Sequence, residues 1–104
     1  MTSPLTHPAV EELELAVVLH AFSDPIRLQI VRMLADEGPR TCGTFVVPVA
    51  KSTLSHHFRV LREAGVTLTE PEGTQRVVSL RRADLDARFP GLLDAVLAAA
   101  PAPA

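Results

Sequence analysis

The segment from Lys51 to Gly65 carries the densest set of side chains that can recognise another molecule. At the helical period, Leu54, Phe58 and Leu61 fall on one apolar stripe. The opposite face offers hydroxyl groups and an imidazole first and guanidinium groups further on, which suits base-edge contacts followed by phosphate contacts. That face consists of Ser52, Ser55, His56, Arg59, Arg62 and Glu63. The segment therefore favours a helix that enters a DNA groove, although an ordinary surface helix is also polar outward.

A short β-hairpin is predicted directly after this helix. Strands over 66–70 and 75–80 flank the turn Pro71-Glu72-Gly73-Thr74. Glu70-Pro71-Glu72-Gly73 fits a type I turn, with proline at its second position and glycine at its fourth. A basic hairpin behind a polar helix is a wing, and its tip can reach a minor groove or the phosphates beside it. The candidate contacts of the wing are Thr74, Gln75 and Arg76. The alternative for Arg76 is an edge residue that discourages strand pairing.

A further helix is predicted upstream, with Asp24 as its N-cap and Pro25 as its first residue. Its core stripe consists of Ile26, Ile30, Met33 and Leu34. Arg27 and Arg32 are expected on its exposed side, and the helix is expected to end near Gly38.

The stretch 38–50 leaves room for only a turn or two of helix, because it contains Gly43 and Pro48. Ala50 is a poor N-cap, so Ser52 is expected to cap the polar helix, which would then begin a residue or two later.

The first and last helices carry more apolar surface than a small domain needs. The stretch 10–22 is apolar on two sides, and Val10, Leu13 and Val17 form only one of its stripes. The last helix, restarted by Pro90, follows the i, i+3, i+4, i+7 template. Because a second subunit can cover a surplus apolar face, these helices are predicted to form a dimer interface. The predicted interface residues are Leu15, Val18, Leu19, Phe22, Leu92, Leu93, Val96 and Leu97.

These patterns predict a mainly α fold with a small β-hairpin, a winged helix-turn-helix of about five to six helices and a two-stranded wing. The 104 residues fit one domain, over 9–100, between a flexible segment 1–8 and a disordered tail 101–104. One cysteine excludes an internal disulfide framework. No apolar run resembles a signal peptide or a membrane span, so we expect no membrane partner and a cytoplasmic protein.

The net charge of −2 is unevenly distributed along the chain. Residues 1–24 contain four acids and no lysine or arginine, whereas residues 51–82 contain six bases against three acids. Screening makes this local balance more relevant than the total. Aromatic residues amount to only 4% of the chain, which argues against binding of single strands by base stacking. Double-stranded DNA is the predicted partner.

Three runs, LHAFSDPIRLQIVRMLAD, KSTLSHHFRVLREAGV and PEGTQRVVSL, occur in an order and at a spacing that resemble the ArsR/SmtB family of bacterial winged helix-turn-helix regulators. The resemblance covers nearly the whole chain. It implies a homodimer built from the first and last helices, with the two recognition helices in successive major grooves of an inverted-repeat operator. By the same resemblance, the residues that face DNA are Ser52, Thr53, Ser55, His56 and Arg59, beside the cations Lys51 and Arg62.

Members of that family are mostly repressors released by an inducer, often a metal ion. The thiolate motif of the arsenic, cadmium and lead sensors corresponds to residues 40–44, where only Cys42 is present. The second common site uses Asp and His of the last helix, and residues 82–100 contain no histidine. Neither usual site can be assembled. A transition-metal ion stays open as a cofactor only through scattered residues brought together across a dimer. The candidates are Cys42, His20 and His7, beside His56, His57 and the acids of the first helix.

Cys42 has two interpretations. A lone cysteine is most often a small buried apolar residue. The alternative is a redox switch whose thiol pKa is lowered by Arg40. His57, at the inner edge of the polar helix, is expected to be packed, and His56 is expected to contact DNA. A hydrolytic pair of Cys42 with either histidine lacks a third orienting group, so we expect no enzyme activity.

The sequence therefore predicts a sequence-specific regulator of double-stranded DNA, and a repressor by family default. The rival is a dimeric winged-helix interaction module that pairs with a protein co-regulator and binds DNA weakly. Its support is the modest basic charge, the shortened region before the polar helix and the acidic first helix.

Overall fold

A computed structural model of the chain describes residues 5–100. In chain order these form the 3₁₀ turn Val10–Glu12, helices α1 (Leu15–Ala21) and α2 (Pro25–Glu37), strand β1 (Arg40–Thr41), the 3₁₀ turn Cys42–Thr44, helix α3 (Lys51–Ala64), strands β2 (Thr67–Glu72) and β3 (Gln75–Leu80), and helices α4 (Arg82–Arg88) and α5 (Leu92–Ala99). The predicted winged helix-turn-helix fold is confirmed. Residues 1–4 and the predicted tail 101–104 lie outside the described residues, and the flexibility predicted for 1–8 stays a prediction.

No helix within residues 5–100 has the length and apolar character needed to cross a membrane.

The wing belongs to a three-stranded antiparallel sheet of order β1-β3-β2. β1 pairs with the inner end of β3, where Arg40 lies opposite Val78. The predicted four-residue turn is wrong, because Glu72 pairs with Gln75 and leaves a two-residue loop. Gly73 occupies the first position of that loop at a φ of +62°, a conformation that glycine adopts without strain. β2 and β3 therefore stay paired to the tip of the wing.

Helix α2 begins as predicted. The Asp24 carboxylate accepts hydrogen bonds from the backbone N–H groups of Ile26 (2.8 Å) and Arg27 (3.1 Å). These bonds satisfy two of the donors that the first turn of a helix leaves free. They also hold the pKa of Asp24 below its ordinary value, because together with His57 and Arg27 they outweigh the rise that burial alone would cause.

The apolar stretch 10–22 is not one helix, and the predicted stripes change accordingly. Residues 13 and 14 are extended between the 3₁₀ turn and α1, which breaks the helical period. Leu13 is buried, whereas Val17, expected on the same stripe, is exposed. Leu13 packs against Gly65, where a Cβ would come within 2.0 Å of the leucine Cδ2 and where φ is +86°. Only glycine fits at this end of α3.

The stretch between α2 and α3 contains one 3₁₀ turn and an extended loop, in agreement with the short helical content predicted. Helix α3 begins immediately at Lys51 behind Ala50, and no side chain caps it. The expectation that Ser52 serves as N-cap is therefore wrong.

Arg27 is buried, contrary to its predicted exposure. Its Nε donates to the carbonyl of Ala21 (2.8 Å), its Nη2 to the carbonyl of His20 (3.1 Å), and its Nη1 to Nδ1 of His57 (3.1 Å). A guanidinium only donates, so Nδ1 of His57 is the acceptor and its proton sits on Nε2. One side chain of α2 thus donates hydrogen bonds to the last two carbonyls of α1 and to an imidazole of α3.

Arg32 was also expected to be exposed and is instead half-buried. Its Nη1 donates to the carbonyl of Leu97 at 2.6 Å, which ties α2 to α5.

Replacing Arg27 by Met tests its role in fixing α3. Loss of three charge-assisted bonds leaves the Ala21 carbonyl and the His57 imidazole nitrogen without the donor that Arg27 supplies, whereas the His20 carbonyl keeps the donors of Ser23. The free energy of unfolding should therefore fall by at least about 2 kcal/mol. Denaturation by urea, followed by circular dichroism, measures the change. Arg82→Met removes the same charge from exposed ion pairs with Asp86 and Asp94 and should cost less than about 1 kcal/mol. Equal losses of unfolding free energy in the two variants would show that the buried hydrogen bonds of Arg27 stabilise the fold no more than an exposed ion pair does.

Candidate nucleic-acid interface

Helix α3 presents the predicted polar set on one side. Its buried residues are His57, Leu61 and Ala64, which face the core. The residues exposed on the other side are Lys51, Ser52, Thr53, Ser55, His56, Arg59 and Glu63, and Arg62 is half-buried beside them. This surface, the α3 face, has the composition expected for base edges and phosphates.

The amino terminus of α3 opens directly onto this face. Ala50 provides no side-chain hydrogen bond to the first turn. The backbone N–H groups there are directed outward from the positive end of the helix dipole, next to the Lys51 side chain. Such an end attracts an anionic group, and a DNA phosphate is one.

The wing extends the surface beyond the helix. Thr74, Gln75 and Arg76 are exposed at and behind its tip. Arg76 lies opposite Pro71 in the strand register rather than opposite an acid. Within residues 5–100 its guanidinium makes no ion pair, so its charge is available to a ligand.

The positive charge of this region is smaller than the residue count suggested. Arg81 binds the carboxylate of Asp84 at 3.0 Å, and Arg82 binds that of Asp94 at 2.9 Å, so both are neutralised by acids of α4 and α5. The charges that remain on the α3 face and the wing are four bases and three acids, namely Lys51, Arg59, Arg62 and Arg76 with Glu63, Glu70 and Glu72. The positions of the individual cations on this surface therefore matter more for binding a nucleic acid than the net charge of the surface does.

Arg59 has a partner of its own. Its Nε lies 3.8 Å from Oε1 of Glu63, one helical turn further on. Both side chains are largely exposed, and an exposed pair of this kind is worth little, so a phosphate or guanine can replace the carboxylate. Glu63 therefore orients the Arg59 side chain and still leaves it able to bind a phosphate or a guanine.

The two adjacent histidines of α3 have different environments. His57 is buried against Arg27, which agrees with the packed role predicted for it. Its Nε2 faces the Asp24 carboxylate at 3.9 Å. His56 is exposed on the α3 face, where its ring can meet a base edge.

The structure does not bring the three scattered metal candidates together. Nε2 of His7 accepts from the backbone N–H of Thr69 (3.0 Å), His20 is exposed at the end of α1, and Cys42 is half-buried in the second 3₁₀ turn. Across residues 5–100 of one protomer, no three side chains among His, Cys, Asp and Glu lie close enough to hold a metal ion. A site that uses two protomers stays a prediction.

Cys42 is not activated in the way the sequence suggested. Burial raises the pKa of its thiol, and the Arg76 guanidinium opposes only part of that rise. Arg40, the expected activator, is engaged elsewhere: it binds the Glu37 carboxylate and the Thr44 carbonyl. A thiol with a raised pKa is a poor nucleophile, which favours the packing role.

The predicted dimer residues divide into two groups. Val18, Phe22 and Leu93 are buried in their own protomer and have no surface to offer, so their assignment is corrected. Leu15 (48% exposed) and Leu19 (45%) lie four residues apart on one side of α1. On α5, the residues that are half-buried are Leu92, Val96 and Leu97. Among the predicted interface residues, only this second group offers apolar surface to a partner.

Comparison with known proteins covers most of these elements. Residues 22–70, from the end of α1 into β2, match the family described as Helix-turn-helix domain. The chain is 38% identical over 82 residues to the Uncharacterized HTH-type transcriptional regulator YceK of Bacillus subtilis, an alignment that spans 76% of this chain and 82% of that relative. It is 36% identical over 61 residues to the Uncharacterized HTH-type transcriptional regulator MJ1325 of Methanocaldococcus jannaschii, spanning 57% of this chain and 68% of the relative.

His7 predicts a pH dependence of stability. Burial first, and then the charges of Arg81 and Arg62, hold the pKa of His7 below 6.5. A pKa lowered by folding contributes stability that is fully present above pH 6.5 and is lost as the pH falls through the folded value. His7→Gln keeps an acceptor for Thr69 but does not titrate, so its free energy of unfolding should fall less than that of the wild type between pH 8 and pH 5.

Urea denaturation at a series of pH values measures the difference. Thr6→Ala, a change at the exposed neighbour, should retain the wild-type profile. Parallel profiles for His7→Gln and the wild type would contradict the assignment.

Proposed function

The chain belongs to the HTH-type transcriptional regulators, and from that membership we propose that it is a sequence-specific, homodimeric repressor that an inducer releases from DNA. The membership itself makes the chain a DNA-binding transcriptional regulator rather than an enzyme. The observation that carries the finer proposal is the α3 face, an uncapped helix start followed by hydroxyl, imidazole and guanidinium groups on one exposed side. Such a helix fits the major groove of B-DNA.

In the proposed complex, the start of α3 lies deepest in the major groove. Ser52, Ser55 and His56 contact base edges there, and Lys51 with the free N–H groups of the first turn holds a phosphate. Arg59 lies two turns along, where it reads a guanine or binds a phosphate. Arg76 on the wing reaches the adjacent minor groove or the phosphates that line it.

A homodimer explains the apolar surface that one protomer leaves open. Leu15 and Leu19 are too exposed to serve the core of their own chain, and α5 offers half-buried leucine and valine side chains. Burial of these residues against a second copy would remove them from water. Two α3 helices related by a two-fold axis read two half-sites of an inverted repeat about one helical turn apart.

We further propose that the protein is of the ArsR/SmtB type. The support is the order of its three motifs and the presence of α2, α3, the wing and the last helix in that order along the chain. Repression and release by an inducer follow from that type. Because Cys42, His20 and His7 are separated within one protomer, a metal ion as inducer requires ligands from both protomers.

A second candidate function, an interaction module that acts through a protein co-regulator, is favoured by one observation. The α3 face and the wing carry nearly as many acids as bases. The salt dependence of binding separates the two functions, because each phosphate neutralised by the protein releases a counterion. A steep loss of DNA affinity with salt supports the regulator, and salt-insensitive association with a protein supports the module.

Arg59→Ala tests the proposed groove contact. If Arg59 reads a guanine, the variant should lose roughly 1–3 kcal/mol of binding free energy and discriminate less at one base pair of each half-site. Fluorescence anisotropy on the protein's own upstream DNA and on a random duplex, across a salt series, measures both effects. The control is Arg82→Ala, which removes the same charge from a residue paired with Asp94. Equal weakening by the two variants would contradict a specific role for Arg59.

Leu19→Glu tests the proposed dimer. The new carboxylate would be buried against its symmetry mate, and the lost leucine contacts occur twice, so the dissociation constant of the dimer should rise at least about a hundredfold. Sedimentation equilibrium measures it. The control is Val46→Glu, at an apolar residue of the loop before α3 that is 88% exposed. An unchanged dimer in Leu19→Glu would remove α1 from the interface.

A further inference from the structure

An open groove of about 490 Å³ lies beside the α3 face, between the loop 42–49, helix α3 from Lys51 to Arg62 and the two strands of the wing. Its volume is in the range of small-molecule sites, about 300–1,000 Å³. In most helix-turn-helix proteins, the segment before the recognition helix is itself a helix that packs across the recognition helix. Here that segment is a single 3₁₀ turn and an extended loop, which leave the flank of α3 uncovered.

One wall of the groove is apolar. It is formed by Phe45, Val47, Val49, Leu54 and Phe58. The rings of Phe45 and Phe58 pack edge to face with centroids 5.1 Å apart, so this wall is rigid at its base. Val47, Val49 and Leu54 are only half-buried, so their apolar surface is open to a ligand.

The charged part of the lining is entirely cationic. It consists of Lys51, Arg62 and Arg76, from the start of α3, its last turn and the wing. None of the three makes an ion pair within residues 5–100, and no acid lines the groove. Ser55 adds a hydroxyl donor. Cations beside an apolar surface, with no acid in the lining to oppose them, are complementary to a molecule that has an anionic head and an apolar body.

We propose that this groove binds an amphipathic organic carboxylate, and that the bound ligand competes with DNA. The competition rests on the proposed function, because Lys51, Ser55, Arg62 and Arg76 both line the groove and belong to the proposed DNA contacts. A carboxylate that engages these cations takes them from the phosphates. The ligand also occupies the space between α3 and the wing, which both have to reach the duplex. This mechanism requires no metal ligand and no reactive thiol.

The first test is a binding measurement without DNA. The probe is 1-anilinonaphthalene-8-sulfonate, an aromatic anion whose fluorescence rises when it moves from water to an apolar site and is excited at wavelengths that protein side chains do not absorb. Decanoate should displace the bound probe, whereas acetate, which lacks the apolar body, and decanol, which lacks the charge, should displace it at least about tenfold less effectively. Displacement by acetate or decanol at the same concentration as decanoate would overturn the proposal.

Two pairs of variants locate the site. Val47→Trp fills the groove and should weaken decanoate binding at least about tenfold, whereas Val46→Trp, at the exposed neighbour outside the groove, should not. Arg76→Gln removes one cation of the groove and should weaken binding about tenfold, whereas Arg59→Gln removes a cation of α3 that lies outside it. Circular dichroism confirms that each variant is folded. Equal binding within either pair would overturn the location.

The second test adds the upstream DNA. Decanoate should lower the DNA affinity of the wild type and of Val46→Trp, but not that of Val47→Trp. Bound decanoate that leaves the DNA affinity of the wild type unchanged would overturn the competition. Because the first test contains no DNA, a protein that bound decanoate in the groove and ignored its upstream DNA would support the ligand site while refuting the proposed function.

Discussion

Three helices converge on the buried guanidinium of Arg27. Two carbonyls at the end of α1 and one imidazole nitrogen of α3 accept its hydrogen bonds, so the cation is solvated by the protein instead of by water. Together with the apolar contacts between α1 and α3, these bonds fix the orientation of α3 relative to α1. The α3 face and the exposed leucines of α1 are consequently set at a fixed angle, and in a dimer that angle determines how far apart two recognition helices stand.

The sequence predicted those parts of the fold that depend on residues close together in the chain. Asp24 and Pro25 identified the start of α2, and the helical period identified which side of α3 faces outward. Arg27 was assigned to the surface because of its charge. Its spacing to Ile30, Val31 and Leu34 is that of one buried stripe, so the pattern contained the correct answer. What it did not contain was the set of acceptors, which come from two other helices.

The charge of the candidate interface could not be predicted for a similar reason. Arg81 and Arg82 count as bases of the wing segment in the sequence, but they bind Pro8, Asp84 and Asp94 in the fold. The groove beside α3 could not be predicted from the sequence either, although the sequence did predict that the segment 38–50 before α3 contains little helix. A short segment can be recognised from Gly43 and Pro48, whereas the space it leaves depends on how the wing and α3 are placed around it.

The outer side of β2 has a consequence for how molecules of this protein meet one another. Along this strand the outward N–H of Thr69 is taken by His7, and the next outward position is Pro71, which has no N–H to offer. Two successive sites at which a strand from another molecule would dock are thus closed. Pairing of neighbouring molecules through this edge of β2 would therefore lack two of its hydrogen bonds, which disfavours that route to aggregation even when many copies accumulate on one stretch of DNA.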